Sequence, residues 1–216
     1  MRYTFMTHGI MIAIMQGVMF EELDRHMIAH GNPGLVPPRE YPKGLERRIA
    51  LRNGETLLVR PIRPDDEPRL EALYGRLSRQ TAYQRFFSVR RRLPADWFRY
   101  FANVDYRRRL ALVVERETVG GVELVGVGRY EPSDEGAPAP DTAEVAFVLE
   151  DGYQGQGLGA ILLEELVRAG AERGLRRYRA HVLAENHRML RLLAARTRIL
   201  AREASRGEVT VLFEPQ

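Results

Sequence analysis

Two spacings of apolar residues alternate along the chain, and they divide it into strands and helices. In residues 142–149 (TAEVAFVL), Glu144, Ala146 and Val148 fall on one side of an extended chain and Val145, Phe147 and Leu149 on the other. Further on, Leu158, Leu162 and Leu166, flanked by Ile161, Leu163 and Val167, recur at helical spacing, with Glu164, Arg168, Glu172 and Arg173 on the wet side. The same criteria predict strands at 48–51 and 56–62 joined by a two-residue turn at Asn53-Gly54, and strands at 110–115 and 122–130 joined at Gly120-Gly121. Residues 177–183 form another strand, and 199–203 and 208–213 close a last hairpin around Arg206-Gly207. Helices are expected after Pro64-Asp65-Asp66, with Leu70, Leu73 and Leu77 on one side, then over 81–87, over 94–102, and from an Asn186 cap to residue 196. The acidic, Pro-rich stretch 131–141 reads as a surface loop, and the Pro- and Gly-rich stretch 31–44 as a linker.

The strand at 142–149 and the helix at 160–171 are separated by Gln154-Gly155-Gln156-Gly157-Leu158-Gly159. Glycines at alternate positions remove Cβ atoms where the chain turns sharply, so successive amides can converge on an anion at a helix N-terminus. No Lys follows, so the run is not a nucleoside-triphosphate loop. No acidic residue ends a next strand about 20 residues on, so it is a poor dinucleotide fingerprint. A glycine-rich turn of purely structural purpose remains a second reading of these six residues taken alone.

At 216 residues the chain suits one domain with an extension: residues 1–44 as extension and linker, residues 45–216 as the domain. The apolar run 10–20 is too short to cross a bilayer and lacks a cleavage signal, so a cytoplasmic location is expected. The absence of cysteine excludes disulfides and thiolate chemistry, and no His/Asp/Glu set has metal-ligand spacing. Net charge is +4, and Lys43 is the sole lysine among 33 basic residues. Residues 60–109 hold 13 Arg against six acids, which reads as a solvated face, with attraction of an acidic partner or of cofactor phosphates as the alternative. Neither a zinc finger nor a helix-turn-helix nor an RNA-binding pattern accompanies them, so nucleic acid is not expected as a partner.

Gln154-x-x-Gly157-x-Gly159, with Glu144 ten residues upstream, resembles the signature of the GNAT acyltransferases. Longer stretches resemble the GNAT domain of bacterial Pat-type protein-lysine acetyltransferases. They are Val59-Arg60-Pro61-Ile62-Arg63-Pro64-Asp65-Asp66, the Leu77-Ser78-x-x-Thr81-x-Tyr83-x-Arg85-Phe86-Phe87 run, Val104-Asp105-Tyr106, Gly126-Val127-Gly128-Arg129-Tyr130, and Val182-Leu183-Ala184-Glu185-Asn186 with Met189-Leu190. The resemblance implies an α+β fold, a mixed and mostly antiparallel sheet flanked by helices. It implies acetyl-CoA as co-substrate, with Gln154, Gly155, Gln156, Gly157, Leu158 and Gly159 around the pyrophosphate and Asn186 near the same arm. It also implies an oxyanion donor at the amide of Phe147 or Val148, and an acceptor groove walled by the Leu77 run.

Acetylating an amine requires removal of a proton from a group that is charged at neutral pH. Glu144 is the candidate base, since a carboxylate on a partly apolar strand face loses hydration and gains basicity. The plainer reading is a carboxylate paired with one of many arginines. Two positions depart from the family pattern: Leu193 stands where many members have the Tyr that protonates the leaving thiolate, and Thr197-Arg198 replaces the usual Gly-Phe. His181 and His187 read as structural. Three functions follow as expectations: acetylation of protein lysines, acetylation of a small amine, or binding of acyl-CoA without catalysis.

Overall fold

A computed structural model describes residues 40–86, 93–132 and 141–216. Eight strands form one sheet: β1 (Arg47–Ala50), β2 (Thr56–Pro61), β3 (Leu110–Thr118), β4 (Gly121–Pro132), β5 (Thr142–Leu149), β6 (Arg177–Leu183), β7 (Thr197–Ser205) and β8 (Glu208–Pro215). Their order is β1-β2-β3-β4-β5-β6-β8-β7. Every neighbouring pair is antiparallel except β5 and β6, which are parallel. The helices are α1 (Glu67–Arg76), α2 (Arg79–Phe86), α3 (Ala95–Ala102), α4 (Leu158–Ala171) and α5 (His187–Arg196). The mixed, mostly antiparallel α+β sheet expected from the sequence is therefore present.

The apolar stripe of α4 does what its spacing requires, since Leu158, Leu162, Leu163 and Leu166 are all buried against the sheet. On the other side Leu70 and Leu73 of α1 join Trp97, Phe98 and Phe101 of α3 in the same core. Gly170 lets α4 approach β6 closely, because a Cβ there would stand 2.3 Å from the Tyr178 hydroxyl. That hydroxyl donates to the Val167 carbonyl at 2.9 Å, which satisfies a fully buried phenol.

Ahead of α1, Asp66 serves a purpose beyond facing a helix dipole. Its buried carboxylate accepts from Arg60 Nη1 and Nη2 at 2.6 and 2.7 Å and from the Arg63 amide at 2.8 Å, while Arg60 Nε donates to Glu115 at 2.7 Å. Burial by itself would raise the Asp66 pKa, but the Arg60 guanidinium outweighs it and holds the carboxyl below its ordinary range. Before β1, Tyr41 meets the Tyr106 ring edge-on at 5.8 Å.

Several boundaries differ from the sequence expectation. Leu51 still pairs with Glu55 (N to O, 2.8 Å), so the first hairpin turns on three residues, with Gly54 at φ +86°, and not on two. Thr118 pairs with Gly121, which makes Val119-Gly120 the next turn. Glu131 and Pro132 belong to β4, whose ladder with β5 continues through Glu131↔Glu144 and Pro132↔Ala143. The loop expected at 131–141 thus begins later; residues 133–140, Phe87 and the triplet Arg90-Arg91-Arg92 lie outside the described residues, as do residues 1–39.

Candidate active site

β5 and β6 pair only through Thr142↔Arg177, Ala143↔Tyr178 and Glu144↔Arg179, and then separate. Val145, Ala146 and Phe147 face Ala180, His181 and Val182 across a small chamber that is also lined by Arg85 and Asn186. It adjoins a larger cleft of about 220 Å³, whose lining includes Phe147, Val148, Leu149, Gln154, Gly155, Gly157, Gly159 and Asn186. Seven of the ten residues singled out in the sequence therefore line this cleft. Thr81, Gln84, Arg85, Arg188 and Met189 complete much of the wall.

Alternation along β5 distinguishes the two candidate oxyanion donors. The Glu150 amide donates to the Val125 carbonyl at 2.9 Å, so amides at even positions of β5 point at β4 and those at odd positions point away from it. The Val148 amide is directed into the sheet, whereas the Phe147 amide is directed to the side where β6 has diverged. Gly128 gives Phe147 its place: a Cβ at 128 would stand 2.8 Å from the ring.

The glycine turn adopts the conformation its residues allow, with Gly155 at φ +78° and Gly157 at φ +88° as the N-cap of α4. Between 155 and 159 no amide donates to an acceptor among the described residues. Five consecutive N–H groups at the positive end of a 14-residue helix form an anion cradle. Leu158 is fully buried, so its amide alone faces this region, and the Gln156 side chain turns back to the Gly152 carbonyl at 2.6 Å. Neither of these two side chains lines the cleft.

Gln154 is a brace. Its Nε2 donates to Thr81 Oγ1 (3.0 Å) and to the Leu149 carbonyl (3.1 Å), and its Oε1 accepts from Arg188 Nη1 (2.9 Å). Thr81 and Ser78 in turn donate to Asp151, at 2.8 and 2.7 Å, and the Ser78 amide donates to the same carboxylate at 3.0 Å. Through Asp151 the start of α2 is tied to the glycine turn. Asn186 both lines the cleft and caps α5, accepting from the Met189 amide at 3.1 Å.

Glu144 sits on β5 next to Val145, at the point where β5 leaves β6, and lines neither chamber directly. It is 4% exposed, and its Oε1 has no hydrogen-bond partner among the described residues. Burial foremost, then the nearby Glu131 charge, pushes its pKa up to about 8 against the pull of Arg179 and Arg85. Such a group is mostly protonated at neutral pH and becomes a base just above it. Leu193 is fully buried in the core, and α5 passes directly into β7 at Thr197, whose hydroxyl donates to the Leu193 carbonyl at 2.7 Å. His181 Nδ1 lies 2.7 Å from Glu208 Oε1. No group of His, Asp and Glu among the described residues could hold a metal ion, and no described helix is long and apolar enough to cross a membrane.

The sheet thus splits beside a glycine-cradled helix N-terminus, and the chain belongs to the acetyltransferase (GNAT) family, whose sequence profile matches residues 76–196. It is 32% identical to acetyltransferase Pat of Mycolicibacterium smegmatis over 67% of this chain and 42% of that one, so it spans well under half of that relative's length. Acetyltransferase PA5475 of Pseudomonas aeruginosa is 29% identical over 68% of this chain and 76% of its own. Among solved structures, the GNAT domain of S. lividans PAT superposes with a TM-score of 0.72 at 36% identity, covering 81% of this chain and 99% of that domain.

Proposed function

We propose that this chain transfers the acetyl group of acetyl-CoA directly to a primary amine, and that the acceptor is the side chain of a protein lysine. The observation that carries the reading is the run of five amides at 155–159 that have no acceptor among the described residues, opening on a cleft that continues into the gap between β5 and β6. A pyrophosphate fits this cradle because it needs several convergent N–H donors and no bulky side chain, and Gly155 and Gly157 have nothing within 4 Å of where a Cβ would stand. When bound, acetyl-CoA supplies an activated acetyl thioester.

The remaining work falls to this chain's own residues. The amides of residues 155–159 would hold the diphosphate, with Gln154 and Asn186 fixing the two elements that flank it. Phe147, through its amide, would donate to the carbonyl oxygen as negative charge develops there. Glu144 would accept the proton of the incoming ammonium group, directly or through water; the freed amine nitrogen would bond to the acetyl carbon, and the carbon–sulfur bond would break to release CoA as a thiolate that takes its proton from water. The resemblance to Pat-type enzymes over the Leu77 run, the segment it implies along the acceptor groove, supports a protein lysine over a free metabolite amine.

Labelled acetyl-CoA offered with a panel of lysine-bearing proteins and small amines tests both parts. Label on protein lysines that is lost in Glu144→Gln supports the reading. Label confined to small amines replaces the acceptor, and undiminished turnover in Glu144→Gln removes the assigned base. Calorimetric titration with free CoA checks the cradle: a folded protein that gives no heat with CoA or acetyl-CoA rules it out.

A further inference from the structure

The carboxylate opposite the proposed base is the least expected group near the site. Glu131 on β4 pairs with Glu144 on β5, and the hydrogen bond from Glu150 to Val125 fixes the phase of that ladder. Glu131 and Glu144 are therefore a hydrogen-bonded pair, with Cα atoms about 5.5 Å apart and side chains on the same face of the sheet. Two like charges directly opposite are unfavourable, so one of the two must be neutralised.

Their surroundings are unequal. Arg129 Nη2 lies 2.6 Å from Glu131 Oε1 and Arg109 Nη2 lies 3.7 Å from it, while the Tyr100 hydroxyl donates to Oε2 at 3.1 Å. Around Glu144 the charged groups are Glu131 of β4, Arg179 of β6, Arg85 of α2 and Glu208 of β8, and its Oε1 has no hydrogen-bond partner among the described residues. Burial alone would raise the Glu131 pKa, but Arg129 and Arg109 outweigh it and hold that carboxyl below its ordinary range, while Glu144 is held above its own, so charge is favoured on Glu131 and the proton on Glu144.

We propose that Glu131 is a positioning residue for this reaction: its carboxylate, pinned by Arg129, Arg109 and Tyr100 across the strand pair from Glu144, governs the pH at which Glu144 can accept a proton. This rests on Glu144 being the base. Burial is the larger influence on Glu144, and the Glu131 charge is the next. Glu131 needs no contact with either substrate, and its effect travels through the field alone.

The pH dependence of kcat/KM tests this, compared among the parent, Glu131→Gln, Arg109→Gln and Glu144→Gln. Removing the Glu131 charge moves the acidic limb of the profile to lower pH by roughly one unit or more, the size of a like-charge interaction at this spacing. Arg109→Gln strips a cation from Glu131 and moves the limb the opposite way by a smaller amount. This second variant decides the matter if Glu131→Gln does not fold. A limb that stays in place in both variants overturns the role of Glu131. If Glu144→Gln keeps the parental limb and rate, the base assignment itself falls. A Glu144→Gln loss beside an unmoved Glu131→Gln limb removes only the role proposed for Glu131.

Discussion

Replacing Glu144 by Gln makes a prediction about stability that needs no knowledge of the acceptor. In the unfolded chain this carboxyl titrates near its ordinary 4.5, and in the folded protein near 8. Because the folded pKa is the higher one, the stabilising contribution is complete below about pH 4.5 and is lost as pH rises toward 8. Gln at this position carries no titrating proton, so the difference between parent and variant isolates the effect. Linkage gives a parental deficit of about 1 kcal/mol at pH 5 and about 4 kcal/mol at pH 7.5, an increment of about 3 kcal/mol. For a domain of this size that corresponds to a melting difference widening by roughly 6–12 °C in favour of the variant. Thermal and urea unfolding of both proteins from pH 5 to pH 9 measures it. Two stability curves that stay parallel within about 0.5 kcal/mol would refute the claim that Glu144 is held protonated by its surroundings.

Other expectations concern packing around the cleft. Gly128→Ala places a Cβ 2.8 Å from the Phe147 ring, which must swing toward the cleft; KM for acetyl-CoA should rise by about tenfold with a stability loss of about 1–3 kcal/mol, measured by steady-state kinetics and melting. Gly170→Ala drives a methyl into the Tyr178 hydroxyl and should cost about 2–4 kcal/mol in urea unfolding, with no specific change in KM. Asp151→Ala removes the acceptor for Ser78 and Thr81; CoA affinity by calorimetry should weaken several-fold, and an unchanged Kd would detach α2 from the cradle.

Much of the fold was legible in the sequence because it is written in local periodicity. The Leu158, Leu162 and Leu166 stripe, the cap at Asn186 and the Arg206-Gly207 turn depend on residues within a few positions of one another. The glycine run was legible for the same reason, since Gly155 and Gly157 adopt the left-handed conformations that few other residues tolerate. What escaped was non-local. Glu131 resembles the beginning of an acidic loop until the β4 and β5 register sets it beside Glu144. Asp66 sits among helix-start residues, and only the fold shows that its partner is Arg60 of β2. Asp151 and Arg188 give no signal along the chain, because what they hold lies 73 and 34 residues away. The separation of β5 from β6 has no local mark either, since both strands have ordinary strand patterns over their full lengths.

The three-residue junction between β5 and β6 has a consequence for whatever enters between them. Past Glu144 the two strands no longer pair, so whatever enters there runs beside a strand edge toward which the odd-numbered amides of β5 point.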